Sequence, residues 1–563
     1  MKGKILLVEC MSTGANYVED IIKRGYEPVI VEASDHAGTE ADVALLKQIR
    51  DVTQKKLPPD IKIIRENPDY NEILRQVREV NPLHVIAGSE FGVGLTVRLA
   101  HDLGLPGNPI ENLPAMTQKD AMHEALKTHG LRYIRGKIVT SVQEAADFYD
   151  EIGAEGIVVK RTRGAATQGL HLCDNREDML QAVETELNKH MNATAEKSDV
   201  LIQERINGRE FIVNTVSSNG EHRLVSVWEY DKVKMPNGTN AYNYFETVNE
   251  LKIGHSRLIR YAFEVADTIG IKYGPIHGEY MIDEKGPVLI EVNCRPMGGS
   301  MPRQFVDMAF GQHETDSALD AYLDPKRFAL KKQELYRPLR KAAVKYFILP
   351  DDTPADTAPV ISISRRLKSY YKGSFDRVGR ETVLARTSDV ETAGGTLYLI
   401  HDDEKVVKRE LELLHTLEMK YPRILFHDLQ PERQKPAEDF DLPKIMERTA
   451  CHGATLLFSD KLTQAEGVIV VNTDELPDVY DGFDQGILDL REEASFIDTE
   501  SLLHKIFTFF RKVRQGGRVI VPESTYCRLP YGADGMDILA KLGGLQIEVP
   551  SSGKSSLLIA TVL

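Results

Sequence analysis

Four polar residues on two adjacent apolar stretches carry the strongest chemical signal in the chain. Glu279 lies in His277-Gly278-Glu279-Tyr280-Met281-Ile282. Glu291, Asn293 and Arg295 lie in Leu289-Ile290-Glu291-Val292-Asn293-Cys294-Arg295-Pro296, after the turn Asp283-Glu284-Lys285-Gly286. In a strand, residues i, i+2 and i+4 point to one face, so Glu291, Asn293 and Arg295 form a row. Glu279 fits beside that row on an antiparallel neighbour. Two carboxylates and an amide oxygen are hard ligands, the kind Mg²⁺ takes together with phosphate oxygens. An arginine at the end of the row can reach a transferring phosphoryl group and offset its charge. A solvent-facing strand with self-paired charges would show the same polar positions. The apolar Ile290 and Val292 between them favour a walled cleft.

Two weaker sets precede this row. Lys160 ends the apolar run Ile157-Val158-Val159, and the loop Arg163-Gly164-Ala165-Ala166-Thr167-Gln168-Gly169 follows. Such a loop can close over a triphosphate and donate backbone N–H groups, with Lys160 and Lys119 as point charges. Taken singly, an exposed lysine and a plain turn explain these residues as well. The third set is Gln203-Glu204-Arg205-Ile206-Asn207-Gly208-Arg209-Glu210. Its strand end can meet an adenine edge and Glu210 can accept from ribose hydroxyls; a charged surface turn is the alternative. Residues 228–246, with Tyr230, Lys232, Tyr242 and Tyr244, fit either a substrate pocket or a mobile surface loop.

The elements that must position these residues follow from periodicity. Residues 1–115 alternate strands (4–9, 28–32, 61–65, 84–87) with helices (17–24, 71–80, 93–103), the pattern of an open βαβ domain with a parallel sheet. The turn Met11-Ser12-Thr13-Gly14-Ala15 has one glycine where a dinucleotide fold has three, which argues against dinucleotide binding there. Helices follow at 119–129 and after a Ser141/Glu144 capping box, then the strand at 156–160, a helix over 176–191 and strands at 200–204 and 211–216. A helix over 256–269 leads to the two strands of the polar row. Beyond residue 330 short strands are expected at 342–348, 359–364, 382–385 and 396–400, closed by a helix over 404–420. The final segment reads as α/β, with a strand at 486–490, a helix at 501–514, a Gly516-Gly517 turn, a strand at 518–521, a helix at 536–542 and a last strand pair.

The chain has 563 residues and a formal net charge of −15, with 42% hydrophobic and 28% charged residues. That size means several domains, and the acidic balance argues against sequence-independent nucleic-acid binding. The five cysteines are dispersed without a CxxC pair, which fits a reducing compartment. The apolar run after Lys4 stops at Glu9, too short for a signal peptide, and no stretch has the length of a membrane helix. A cytoplasmic protein is the expectation.

Together the three sets resemble the ATP-grasp superfamily over roughly residues 1–425. The resemblance implies ATP with Mg²⁺ as cofactors, Mn²⁺ being able to stand in. It makes Lys119 and Lys160 the ATP lysines, with Gly164, Thr167, Gln168 and Gly169 in the phosphate loop. Gln203, Glu204, Arg205 and Ile206 become the adenine hinge, and Glu210 the ribose carboxylate. Glu279, Glu291 and Asn293 match the metal ligands, and Arg295 the arginine near the γ-phosphate, a catalytic role shared with Lys160.

Within the superfamily the chain looks most like L-amino acid ligases of the bacilysin type and related carboxylate–amine ligases. Arg295-Pro296-Met297-Gly298-Gly299-Ser300-Met301-Pro302 resembles their substrate-side loop. There Gly298, Gly299 and Ser300, with His277, would meet substrate, the glycines offering bare N–H groups at a helix N-terminus. Small residues stand where bacilysin-type ligases place a bulky aromatic, which implies a roomier pocket.

The implied fold is ATP-grasp, mixing α/β and α+β. An N-terminal α/β domain (1–115) would precede an ATP-grasp domain (116–330, lid 133–203), a small β-rich subdomain (331–425) and a Rossmann-like segment (426–563). The last segment resembles the C-terminal half of a methyltransferase without the glycine-rich donor loop, and a structural or oligomerising role is expected. Gly553-Lys554-Ser555 resembles a P-loop end, but Glu548 occupies the first-glycine position. The implied activity is formation of an acyl phosphate and its capture by an amine, giving an amide or a dipeptide. The expected partners are small carboxylate and amine substrates and a second copy of the chain. Biotin-carboxylase-like or purine-pathway chemistry and a non-catalytic ATP-binding scaffold are the alternatives.

Overall fold

The computed structural model describes residues 2–33, 40–153, 156–161, 170–191, 200–235, 240–355, 359–378, 381, 383–388, 390 and 392–426. Further on it describes 443, 446–447, 455–459, 468–471, 483–489, 506, 508–522, 545–548 and 557–562. Gly164, Thr167, Gln168, Gly169, the helix expected at 536–542 and Gly553-Lys554-Ser555 lie outside the described residues. The chain forms two compact units. One comprises Met1–Val233, Tyr244–Ala343 and Asp402–Glu404; the other comprises Lys234–Asn243, Val344–His401 and Lys405–Leu563.

The first unit opens with strands β1 (Lys4–Val8), β2 (Glu27–Val31), β3 (Lys62–Ile64) and β4 (His84–Ala87). They alternate with helices α1 (Asn16–Lys23), α2 (Glu40–Gln54), α3 (Tyr70–Val80) and α4 (Val93–Asp102). The strands pair in parallel in the order β3-β2-β1-β4, the open sheet expected from the alternation. Continuous apolar runs such as Ile5-Leu6-Leu7-Val8 are buried on both faces, as a helix-covered parallel sheet requires. Gly14 has a steric reason: a Cβ there would stand 1.8 Å from the Gly88 carbonyl oxygen. The turn after β1 therefore packs directly on the end of β4.

Helices α5 (Leu113–Thr117) and α6 (Lys119–Thr128) lead into a small layer built from β5 (Gly136–Val139), α7 (Val142–Ile152), β6 (Ile157–Arg161), β7 (His171–Cys173), α8 (Arg176–Met191) and β8 (Val200–Glu204). Its antiparallel sheet runs β5-β8-β6-β7. Phe148 and Ile152 of α7 and Met179 and Val183 of α8 cover Val139, Ile157, Val159 and Ile202. Ser141 caps α7 by accepting from the Glu144 N–H at 3.2 Å, while the Glu144 carboxylate accepts from the Thr140 N–H at 2.8 Å.

The central sheet contains β9 (Arg209–Ser218), β10 (Glu221–Lys234), β11 (Asn240–Thr247), β12 (Gly274–Asp283) and β13 (Gly286–Asn293), ordered β13-β12-β9-β10-β11. Helix α9 (Ile253–Ile269) lays Leu258, Tyr261, Val265 and Ile269 on Phe211, Val213, Tyr280 and Leu289. With one face sealed, the polar row is turned to the other. Helices α10 (Arg303–Phe310), α11 (Glu314–Leu323) and α12 (Pro325–Lys332) follow.

The second unit continues with β14 (Lys341–Tyr346), β15 (Thr353–Pro354), α13 (Pro359–Ser364), β16 (Tyr370–Ser374), β17 (Val383–Leu384), β18 (Thr396–His401), α14 (Glu404–Lys420) and α15 (Pro422–Phe426). The strand expected at 359–364 is the helix α13. Its alternating Val-Ile-Ser-Ile pattern reads as period two, yet Pro359 suits a helix start, and Val360, Ile363 and Ser364 are buried on one helical face. The last sheet holds β19 (Thr455–Ser459), β20 (Ile469–Val471), β21 (Phe483–Asp489), β22 (Val513–Pro522), β23 (Leu545–Glu548) and β24 (Leu557–Val562). Its order is β20-β19-β21-β22-β24-β23; the first four strands are parallel and β24 is antiparallel to both of its neighbours. The Gly516-Gly517 turn and the helix reaching 514 give way to a longer β22. Pairing jumps from Phe483↔Val513 to Gln485↔Arg518, so the glycines sit in a bulge within the strand. Among the described residues no helix is long and apolar enough to cross a membrane.

Candidate active site

Antiparallel register places Glu279 directly opposite Glu291, and His277 opposite Asn293. From the turn at residues 283–286 the pairing runs to Tyr280↔Leu289, where a bulge at Ile290 shifts the register by one and brings the two carboxylates opposite each other, so the sequence row becomes a two-strand patch. Two facing carboxylates repel unless cations intervene. Lys119, at the first position of α6, puts its Nζ 2.7 Å from Glu291 Oε2, and Asn293 Nδ2 donates to Glu291 Oε1 at 3.3 Å. Burial works against the Glu291 charge, but Lys119 and then Lys160 outweigh it and hold its pKa down at about 2. Lys119 shows the mirror effect. Burial opposes its charge, and Glu291, Glu90 and Glu279 together lift it above the ordinary lysine range.

Lys160, on β6, faces the same carboxylates. Burial and the neighbouring Lys119 push its pKa down to about 8, against the pull of Glu291 and Glu279. His123 lies one turn after Lys119 on α6 and is buried. Burial, with the Lys160 charge, drives its pKa down to about 3, so it is neutral. The i, i+4 spacing of Lys119 and His123 was the available sequence signal for His123.

Arg295 Nη2 lies 3.2 Å from Glu90 Oε2, and Nη1 donates to the Pro296 carbonyl at 3.2 Å. Glu90 follows β4, so the N-terminal sheet contributes a carboxylate that sequence reasoning missed. The loop after Arg295 is also gripped by the turn after β1. Ser300 N–H donates to Ser12 Oγ at 3.0 Å, Met301 N–H to Thr13 Oγ1 at 2.9 Å, Thr13 Oγ1 to the Gly298 carbonyl at 3.3 Å and Asn16 Nδ2 to the Met301 carbonyl at 3.1 Å. Gly299 has φ +75°, open to glycine and strained for other residues. The Ser300 amide is already bonded, because the turn with Ser12 and Thr13 docks onto the loop.

The segment expected to meet adenine sits at the end of β8. Gln203 is buried. Glu204 accepts from the Arg135 N–H at 2.9 Å and from its guanidinium at 2.7 Å, and Arg205 Nη1 pairs with Asp174 at 2.5 Å. The N–H groups of Glu204 and Arg205 donate to the Arg135 and Gly156 carbonyls, both at 2.9 Å. These two N–H groups are therefore not free for a base edge, and Ile206 follows, half-buried, just beyond β8. Glu210 is buried and takes Lys232 Nζ at 2.5 Å.

A buried chain adjoins the row. His277 Nδ1 meets Asn214 Oδ1 at 2.9 Å, and its Nε2 lies 3.5 Å from Glu279 Oε1. Asn214 Nδ2 donates to Glu314 Oε1 at 2.6 Å, and the Met297 N–H donates to Glu314 Oε2 at 2.5 Å. Asn214 and Glu314 had no motif to mark them.

Residues 154–303 match the family described as ATP-grasp domain. A curated relative, dapdiamide A synthase of Enterobacter agglomerans, is 27% identical over 357 residues, covering 62% of this chain and 82% of its own length. Two solved structures share the fold. The L-amino acid ligase of Bacillus licheniformis superposes with TM-score 0.55 at 17% identity, covering 74% of this chain and 97% of that one. The carboxyaminoimidazole ribonucleotide synthase of Aspergillus clavatus, complexed with ATP, gives TM-score 0.53 at 13% identity, covering 74% and 98%.

Proposed function

We propose that this chain is an ATP- and Mg²⁺-dependent ligase that converts a carboxylate to an acyl phosphate and joins it to an amine, with amino acids as substrates. The observation that carries this reading is the facing pair Glu279 and Glu291 beside Lys119, with Arg295 at the end of the same row. The donor set fits Mg²⁺: two carboxylates and the Asn293 amide oxygen are hard ligands that leave positions for phosphate oxygens. Bound there, Mg²⁺ would offset charge on the phosphates.

The remaining work falls to the chain. Lys119 and Lys160 supply positive charge at the inner phosphates, and Arg295 faces the γ-phosphoryl group during attack by the substrate carboxylate. The carboxylate oxygen bonds to phosphorus and ADP leaves; the amine nitrogen then bonds to the acyl carbon and phosphate leaves. Arg295 and Glu90, 3.2 Å apart, offer opposite charges to the two ends of a zwitterion, which favours amino acids over bicarbonate. The test is a phosphate-release screen over amino acid pairs with mass spectrometry of the products. An amide product with ADP is expected. Nucleotide binding without turnover on any pair would overturn the reading in favour of a scaffold.

A further inference from the structure

The buried chain behind the substrate-side loop has no part in the steps above. Glu314 opens α11, and its side chain is almost completely enclosed, as are those of Asn214, Ser226 and His277. Its two oxygens do two different jobs. Oε2 accepts the Met297 N–H at 2.5 Å, tying down the loop that runs through Gly298 to Met301. Oε1 accepts from Asn214 Nδ2 at 2.6 Å. With each oxygen accepting an N–H donor, Glu314 acts as the acceptor, and this contact sets the orientation of the Asn214 amide. Its second N–H goes to Ser226 Oγ at 3.0 Å. Oδ1 is thereby turned to His277 Nδ1 at 2.9 Å, which must carry the ring proton, leaving Nε2 toward Glu279 at 3.5 Å.

We propose that Glu314 is a positioning residue of the ligase site, orienting the substrate-side loop through Met297 and the His277 ring beside Glu279 through Asn214. The substrate side of this proposal rests on the ligase reading.

The logic of donors and acceptors supplies the test. In Glu314→Gln one of the two N–H donors must face the new side-chain NH₂. In Asn214→Asp two carboxylates face one another. Combined, the two changes restore the bonds: the glutamine NH₂ donates to the aspartate, its oxygen accepts from the Met297 N–H, the second aspartate oxygen accepts from His277 Nδ1, and the Ser226 hydroxyl, which accepted from Asn214, turns to donate to the aspartate. Each single variant should lower kcat/KM for the amino acid substrates by about 10- to 100-fold, with the Kd for Mg-ADP within about 2-fold of wild type. The double variant should recover most of that loss. Amide exchange over residues 297–301 should quicken in Glu314→Gln and slow again in the double variant.

Additive losses in the double variant, or unchanged exchange and kinetics in the singles, would overturn the proposal. If Glu314→Gln fails to fold, folding of the double variant with wild-type exchange supports it, and failure of both refutes it. The exchange experiment needs no turnover. A wild-type protein inactive on every amino acid pair would refute the ligase reading while leaving the exchange result to decide the role of Glu314.

Discussion

Replacing Glu291 by glutamine separates charge from shape at the centre of the row. The pair with Lys119 spans 2.7 Å, with both side chains about one-fifth exposed. Two unit charges at that distance attract by roughly 6 kcal/mol at an effective permittivity of about 20. Removing one partner of a buried pair loses about 3–5 kcal/mol, because the other charge stays buried. Lys119 keeps Glu90 and Glu279 as neighbours, which places the loss near the lower end. The depression of the Glu291 pKa from 4.5 to about 2 corresponds to about 3 kcal/mol of preference for the ionised form, in agreement. Glu291→Gln should therefore lose about 3 kcal/mol in urea unfolding and at least about 100-fold in phosphate release. The double variant Lys119→Met/Glu291→Gln discriminates the two losses: it should regain stability and remain inactive. Phosphate release within about 3-fold of wild type, measured on the same folded fraction, would refute the assignment of Glu291 to the nucleotide–metal site.

Lys160 titrates near pH 8 in the nucleotide-free protein, so Mg-ATP affinity should fall as pH rises through 8, and binding near that pH should take up protons. Calorimetry in buffers of different ionisation enthalpy measures this, and buffer-independent enthalpies with pH-independent affinity would count against it. His313 lies between Asp20 at 3.0 Å and Asp307 at 2.7 Å; burial opposes its charge, but the two carboxylates prevail and raise its pKa to about 9. Because the folded value exceeds the unfolded 6.5, up to about 3 kcal/mol of stability should be present in full below pH 6.5 and lost as pH climbs through 9; urea midpoints that hold steady from pH 6 to 9.5 would contradict this. Ser141→Ala should remove the cap of α7 and lower stability by about 1 kcal/mol, read as a shift in urea midpoint, and an unchanged midpoint would show that the Glu144–Thr140 half of the box suffices.

What could be read from the sequence was local. Strand periodicity and a tight turn made Glu279, Glu291, Asn293 and Arg295 visible within seventeen residues of chain, but the bulge at Ile290 that sets Glu279 opposite Glu291 had no mark in the sequence. Lys119 announced itself as a helix start. Glu90 did not, because it meets Arg295 across 205 residues, and Glu314 meets Asn214 across 100; no local pattern encodes such pairings. Period-two alternation misled at residues 359–364, where a short helix with Pro359 at its head buries Val360 and Ile363 together, a pair a strand would turn to opposite faces. The glycine pair at 516–517 reads as a turn, but it lies in a bulge within β22, and sequence does not distinguish the two.

The topology explains why the unseen residues are where they are. In the order β3-β2-β1-β4 the chain leaves β1 toward β2 on one side while β4 lies on the other, so a crevice opens at the carboxyl ends of β1 and β4. The turn and the carboxylate that reach the loop after Arg295 come from that crevice: Ser12 and Thr13 after β1, and Glu90 after β4. Gly14 lets the first turn approach the second to contact distance with Gly88, which brings hydroxyls and carboxylate to bear on one loop. The hydroxyls are spent on the Ser300 and Met301 amides, so in the proposed ligase the recognition of charge is left to Arg295 and Glu90. A substrate carrying both a carboxylate and an ammonium can answer both of those charges at once; one carrying only a carboxylate leaves Glu90 in contact with Arg295 and must compete with it.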